Sequence, residues 1–308
     1  MKVGVVKEIW RYPVKSLAGE EIGSCVLTDA GVPGDRGWAF RDGKRGEIAS
    51  ARKIPGLLQC AARFREEPTP GSSAAIDITL PDGTTLGSDQ AEVHQRCTSA
   101  IGHDLELCPL RPATDLAHYR RATPGAAVLA RLARFAPIRR MLGALLPLVG
   151  ADAELRADFG RLPDEPLPDL SQFSPELLEF TSPPGTYFDA FPLHLLTTSA
   201  LAAMSRLNPD ADWDVRRFRP NFVVETVPEF DGPIEFDWVE RTLAIGEARI
   251  GCAMPTVRCS MPTHAQSDLG KDPSVLRTIV RETDQNLGVY ADVVAPGRVS
   301  VGDPVELL

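Results

Sequence analysis

The stretch TVRCSMPT, residues 256–263, places a thiol, Cys259, directly after a guanidinium, Arg258. Three chemistries are open to such a cysteine. It can be a small apolar core residue, because free cysteine is among the most buried residue types. It can be a nucleophile, which needs a base in reach, and His264 lies five residues on. It can be a soft metal ligand, favoured by a neighbouring cation that stabilises the thiolate. The stretch alone does not choose among them.

Three further stretches carry groups suited to an anion. RYPVKS, residues 11–16, offers the Lys15 ammonium and the Ser16 hydroxyl, with Pro13 biasing Tyr12 away from helix. GDRGW, residues 34–38, sets Arg36 between a turn glycine and an aromatic strand, where a solvated turn arginine is the competing reading. RRFRPN, residues 216–221, puts Arg219 and Asn221 on either side of Pro220. His194 lies in the apolar run FPLHLLTT, so a satisfied core or cleft histidine competes with a proton-donating role. HQRCTSAIGHDLELC gathers His94, Cys97, His103 and Cys108, but the spacing fits no common zinc finger and Cys108 alternates like a strand residue.

These residues need elements to hold them. A chain of 308 residues is comfortable for two domains. The net charge of -9 argues against nucleic-acid binding over the whole surface, which needs a basic face. No CxxC pair occurs among the six cysteines, and the N-terminus has no secretory apolar core, so reduced thiols and a cytoplasmic protein are expected. The longest apolar run, 141–151, is shorter than the roughly 20 residues a membrane span requires.

Residues 1–112 read as short strands with turns, including a hairpin in IDITLPDGTTLGSD, a short helix in DQAEVHQRCTSAIG and a strand in LELCPLRP. Residues 113–185 read as a helical and loop insertion. No Asp or Glu occurs from 116 to 151, while Arg120, Arg121, Arg131, Arg134, Arg139 and Arg140 do, with Val128, Leu129, Leu132 and Phe135 at helical spacing. An amphipathic helix packed over a cleft is expected there, with peripheral contact to an anionic membrane as the competitor. Residues 186–308 are strand-rich, with Cys252 on a strand, a helix capped by Thr197, Thr198 or Ser199, and another with Asp272 as N-cap and Pro273 in its first turn.

Taken together, YPVKSLAGEEI, GDRGWAF, ASARKIPGLLQC, LHLLTTSAL, RRFRPNFVVE, VRCSMPT and GVYADVVAPGRVSVGDPVEL resemble the MOSC family. The resemblance is to members with an N-terminal MOSC β-barrel, among them amidoxime-reducing components and bacterial N-hydroxylated-base reductases. It implies an α+β fold of two packed β-barrel-like parts with the molybdenum cofactor between them. It further implies that Lys15, Ser16, Arg36, Arg219, Asn221 and Arg258 hold that cofactor and that Cys259 coordinates molybdenum. His194 becomes a candidate proton donor. The implied activity is reduction of small N-hydroxylated or other N-oxygenated molecules. A non-enzymatic carrier of the cofactor or its sulfur is the alternative. No cysteine cluster follows the last strand, so electrons are expected from a separate donor of the flavoprotein, ferredoxin or cytochrome b5 type. Two departures stand out: CSMPT has Pro262 and a single Thr263 where relatives carry paired threonines, and the arginine-rich insertion is long.

Overall fold

The computed structural model describes residues 1–69, 73–123, 131, 151–169 and 173–308. Among these, six short helices occur: α1 (Val93–Ile101), α2 (Leu116–Tyr119), α3 (Ala151–Phe159), α4 (Glu176–Glu179), α5 (Thr198–Leu207) and α6 (Pro273–Glu282). The remaining regular elements are strands and short 3-10 turns, among them Ile234–Trp238 and Met261–Thr263.

Alternation builds the larger part. β13 (Ala248–Val257) buries Ala248, Ile250, Cys252, Met254 and Thr256, every second residue, as a strand with one face on a core must. β1 (Lys2–Arg11) buries Val3, Val6 and Ile9, three residues apart, and its register shifts twice, between Lys2 and Gly4 against β16 and between Val6 and Glu8 against β11. These strands join β11 (Phe222–Thr226), β10 (Leu193–Thr197), β14 (Asn286–Ala295), β12 (Thr242–Ile245) and β16 (Pro304–Leu307). The order β11-β10-β14-β13-β12-β16-β1 closes on itself through β1–β11, giving a seven-strand barrel. β2 (Glu20–Ile22) extends the sheet beside β1. Closure leaves no free edge in the ring. Its interior is aliphatic, and each fully buried Val, Leu or Ile contributes roughly 1.5–3 kcal/mol.

One neighbouring pair, β10 and β11, is parallel. Parallel neighbours need a crossover, and α5 supplies it. Thr197 ends β10 and caps α5, its Oγ1 accepting from the Ala200 N–H at 3.1 Å. Asp272 caps α6 through the Ser274 N–H, 2.9 Å away.

The second part is smaller. β4 (Trp38–Asp42) lies between β5 (Glu47–Ile48) and β9 (Leu105–Pro109); β6 (Ala61–Phe64), β7 (Ile76–Thr79) and β8 (Thr85–Gly87) form another sheet. Bridges at Val14–Trp38 and Ala18–Ala61 tie residues 14–18 to both sheets. They wrap a core of Leu17, Phe40, Leu57, Leu58, Ile76 and Ile78, closed by Val93 and Cys97 of α1. The fold is α+β with two β-barrel-like parts, as expected. The strands do not follow chain order, however. β1 belongs to the ring of C-terminal strands, and β3 (Ser24–Leu27) pairs with β15 (Gly297–Ser300). In return, Met261 belongs to the N-terminal core, and Cys259 packs against it.

Most of the basic segment 116–151 lies outside the described residues, and with it the expected amphipathic helix and membrane face. At its edges, Arg120 pairs with Glu179 at 3.3 Å and the Arg121 Nε donates to the Leu177 carbonyl at 3.0 Å. No helix among the described residues is long and apolar enough to cross a membrane.

Candidate functional site

The eight residues that the resemblance marks for the cofactor and its chemistry line one cleft: Lys15, Ser16, Arg36, His194, Arg219, Asn221, Arg258 and Cys259. It holds about 670 Å³ of space out to its open mouth. The topology explains the convergence. The end of β1 lies beside the starts of β10 and β11, His194 of β10 pairs with Tyr290 in the middle of β14, and β13 runs out into Arg258 and Cys259, where Cys259 and Met261 pack on the N-terminal part. The inward face of β13 passes from Cys252 and Met254 in the core to Thr256 and then Arg258 in the cleft.

Asp35 is the hub of one wall. Its carboxylate accepts from the Tyr12 N–H at 2.8 Å, from the Asn221 Nδ2 at 3.0 Å and from the Arg36 guanidinium. The Tyr12 ring lies between two cations, with Arg219 4.1 Å and Arg36 4.9 Å from its centroid. Its hydroxyl donates to the Pro220 carbonyl at 3.1 Å. Ser16, Arg36 and Arg219 all have positive φ, at 71°, 52° and 56°. That region is costly for residues with a Cβ, and such strain clusters at functional sites.

Asn221 knits the wall together. Its N–H donates to the His194 carbonyl at 2.7 Å, its Oδ1 accepts from the His194 N–H at 3.1 Å, and its Nδ2 also reaches the Trp10 carbonyl at 3.3 Å. Its amide is thus engaged with β1, β10 and the Asp35 turn. Ser16 Oγ accepts from the Ala51 N–H at 3.0 Å. The Lys15 ammonium donates to the Asp189 carboxylate at 2.6 Å and to the Tyr187 carbonyl at 2.8 Å.

The electrostatics follow from burial among cations. Burial lowers the Lys15 pKa, and Asp189 offsets this in part. Burial, then Arg36, pushes Arg219 down to about 10. Burial also lowers Arg258. His194 lies well below the usual imidazole range, first through burial and then through Arg258, so its ring is neutral at pH 7. Asp189 opens onto the cleft; withdrawal from bulk water works against its charge, but Lys15, Arg52 and Arg36 outweigh it and hold it far below the usual carboxylate range.

Residues of the cleft also leave buried polar atoms unpaired. Among the described residues, an Nη of Arg219, Nε of Arg258, Nε2 of His194 and Oγ1 of Thr256 are buried without a hydrogen-bond partner. All four residues line this cleft. Buried polar groups are normally paired, and an unmet one costs about 1–3 kcal/mol. Their coincidence beside Cys259 marks a place for an anionic, hydrogen-bonding group.

The competing readings of the cysteines separate here. Cys259 is half-buried and faces the cleft, whereas His264, the base a nucleophile needs, lies outside the lining. No three His, Cys, Asp or Glu gather as a metal-binding set among the described residues. Cys259 therefore offers a single soft sulfur, which suits a metal already held by another ligand. In the other histidine–cysteine stretch, His94 Nδ1 accepts from the Leu107 N–H at 2.9 Å, and Cys97 and Cys108 are buried.

Asp189, Thr256, Tyr290 and Asp35 were not singled out by sequence reasoning. For Asp35 the signal was present, since an acid precedes the arginine in GDRGW; for the other three nothing local marked them.

One curated relative matches the chain over its whole length. The human protein "Mitochondrial amidoxime-reducing component 1" is 26% identical over 327 aligned positions, covering 100% of this chain and 84% of the human one. Solved structures give a fainter likeness. YiiM from Geobacillus stearothermophilus is 17% identical with a TM-score of 0.30, covering 38% of this chain and 54% of that one. The YUAD protein from Bacillus subtilis is 19% identical with a TM-score of 0.32, covering 39% and 65%. The chain thus spans between half and two thirds of the length of these solved structures. Residues 3–107 match the MOSC N-terminal beta barrel domain and residues 183–306 match the MOSC domain, so the chain belongs to the MOSC domain family, which is associated with the molybdenum cofactor.

Proposed function

We propose that this protein binds the molybdenum cofactor in the cleft and reduces small N-oxygenated molecules with electrons from a separate donor protein. One observation carries the reading: Arg219, Arg258, His194 and Thr256, each with a buried polar atom that lacks a hydrogen-bond partner, line the same cleft as a single accessible thiol. The residues fit the group. The cofactor is anionic, and Lys15, Arg36, Arg219 and Arg258 supply positive charge and donors along the cleft. Ser16 and the Asn221 wall complete the cradle, and Cys259 offers the soft protein ligand to molybdenum. When bound, the cofactor supplies the two-electron redox chemistry that breaking an N–O bond requires.

The chain's own groups do the rest. The Asp35 hub and the Tyr12 stack fix Arg36 and Arg219, so the donors are preorganised. Neutral His194 presents one ring N–H or one lone pair beside Tyr290, 5.9 Å between ring centroids, and in this reading it relays protons rather than storing one. Reduction of an N-hydroxy group to an amine and water consumes two protons with the two electrons, so such a relay is needed.

The test is turnover. Cofactor-loaded protein, reduced anaerobically, is mixed with an amidoxime. Reoxidation with formation of the amidine supports the enzyme. Tight cofactor binding without reoxidation assigns the protein to the carriers.

A further inference from the structure

Cys259 lies between two peptide groups that are held from outside the strands of the cleft. The Arg258 carbonyl accepts from Arg161 Nη2 at 2.9 Å. The Ser260 N–H and the Ser260 Oγ both donate to the Asp158 carbonyl, at 3.2 Å and 3.1 Å. Both partners come from one short piece of chain, the end of α3 and the turn after it.

The turn is shaped to lie on the Cys259 loop. Gly160 has φ at 62°, and a Cβ at that position would stand 3.1 Å from the Ser260 Cβ and 2.9 Å from the Leu276 side chain of α6. Only glycine lets residues 158–161 approach so closely in this conformation. Behind the turn, Arg277 of α6 donates to the Gly160 carbonyl and pairs with Glu165.

Arg161 is 6% exposed, and all its bonds go to neutral acceptors. Besides the Arg258 carbonyl, Nε donates to Gln285 Oε1 at 2.9 Å and Nη1 to the Phe159 carbonyl at 2.6 Å. Gln285 in turn accepts the Arg258 N–H on its own carbonyl at 2.9 Å. Arg161 thus holds Arg258 at its carbonyl directly and at its N–H through Gln285. Burial lowers the Arg161 pKa to about 10, so the side chain stays charged at neutral pH. A buried cation without a carboxylate partner is costly, and packing alone would be met by an apolar side chain.

We propose that Arg161 is a positioning residue for Cys259: the turn 158–161 fixes the peptides on both sides of the thiol and so sets where its sulfur points in the cleft. The effect on molybdenum rests on the cofactor reading; the clamp on the loop does not.

Arg161→Met, Arg161→Lys and Gly160→Ala test this in the full chain. On cofactor-free protein, amide exchange read by mass spectrometry speeds up roughly tenfold over residues 258–261 in Arg161→Met and Gly160→Ala, by the worth of a hydrogen bond to a charged group. Strands β12 and β13 exchange as in wild type. Arg161→Lys keeps a charged donor and recovers part of the protection. In partly reduced, molybdenum-loaded protein, the electron paramagnetic resonance signal of the metal changes shape in Arg161→Met and Gly160→Ala and returns towards wild type in Arg161→Lys. Should Arg161→Met not fold, the other two variants carry both readouts. Unchanged exchange over 258–261, or a rise spread evenly over the barrel, overturns the clamp. Faster local exchange with an unaltered metal signal overturns the positioning of the ligand. Wild-type protein that never holds molybdenum defeats the functional reading instead, and amide exchange still decides the clamp.

Discussion

Two carboxyl groups show how differently the barrel interior and the cleft treat charge. Glu235 is fully buried at the barrel, with Thr197 Oγ1 donating to one oxygen at 2.6 Å and the other oxygen unpartnered. No cation pairs with it among the described residues, and burial pushes it up to about 7. Asp189 has Lys15, Arg52 and Arg36 around it and is held far below the usual range. The cysteines repeat the contrast. Burial pushes Cys252 in the barrel up to about 12, making it an inert core residue, whereas Cys259, seven residues along the chain, opens onto the cleft. The barrel is built to exclude charge. The cleft gathers positive charge that its own residues do not neutralise, which is an arrangement for receiving an anion.

Substitutions break or sharpen this contrast. The largest effect is expected at Arg258. Arg258→Gln removes a buried, unpartnered donor, so pterin binding loosens roughly tenfold to hundredfold, by the worth of hydrogen bonds to charged groups. The cofactor-free variant melts close to wild type, because relief from burying a cation with no carboxylate partner offsets the loss of the bond to the Phe218 carbonyl, 3.1 Å long, and of the contact with the Phe218 ring. Released pterin and thermal melting read the two halves of this expectation; a variant that melts lower but keeps its pterin would place Arg258 with the barrel rather than the cleft.

Glu235 follows. Its folded pKa is raised, so its contribution is complete below its unfolded value of 4.5 and is lost as pH rises to about 7. Between those limits the folded state holds a proton that the unfolded state has released. Glu235→Gln removes the penalty, and its advantage over wild type grows from pH 4.5 to a plateau above pH 7, on the order of 1–3 kcal/mol. Urea titrations at pH 5 and pH 8 check this, and an equal difference at both pH values contradicts it.

Cys252→Ala leaves a small cavity in the barrel and costs roughly 1–2 kcal/mol while metal content stays unchanged. Tyr12→Phe is the mildest. It loses only the bond to the Pro220 carbonyl, about 0.5–1.5 kcal/mol, and keeps the ring that Arg36 and Arg219 cover. A large loss of cofactor in Tyr12→Phe would mean that the hydroxyl itself touches the ligand.

Much of this was legible from local pattern. The alternation in β13, the Pro-Asp-Gly hairpin between β7 and β8, and the caps at Thr197 and Asp272 all state their structure in a few residues. The eight cleft residues were legible through motif and family resemblance. What escaped depends on long-range pairing. Alternation in β1 says that one face is buried, not that the strand closes a ring with β11 and β16. Arg36 reads as a solvated turn residue until Asp35 and the Tyr12 ring enclose it. Asp189 has no local signature, because its meaning comes from Lys15, 174 residues away along the chain.

The central claim is that the cleft, through Cys259, holds molybdenum. Elemental mass spectrometry on wild type, Cys259→Ala and Cys252→Ala, each produced in a cofactor-competent, molybdate-fed host, tests it most directly. The account predicts about one molybdenum per chain in wild type and Cys252→Ala, and loss of the metal from folded Cys259→Ala. A wild-type protein without molybdenum, or a Cys259→Ala variant that keeps its full complement, would contradict it.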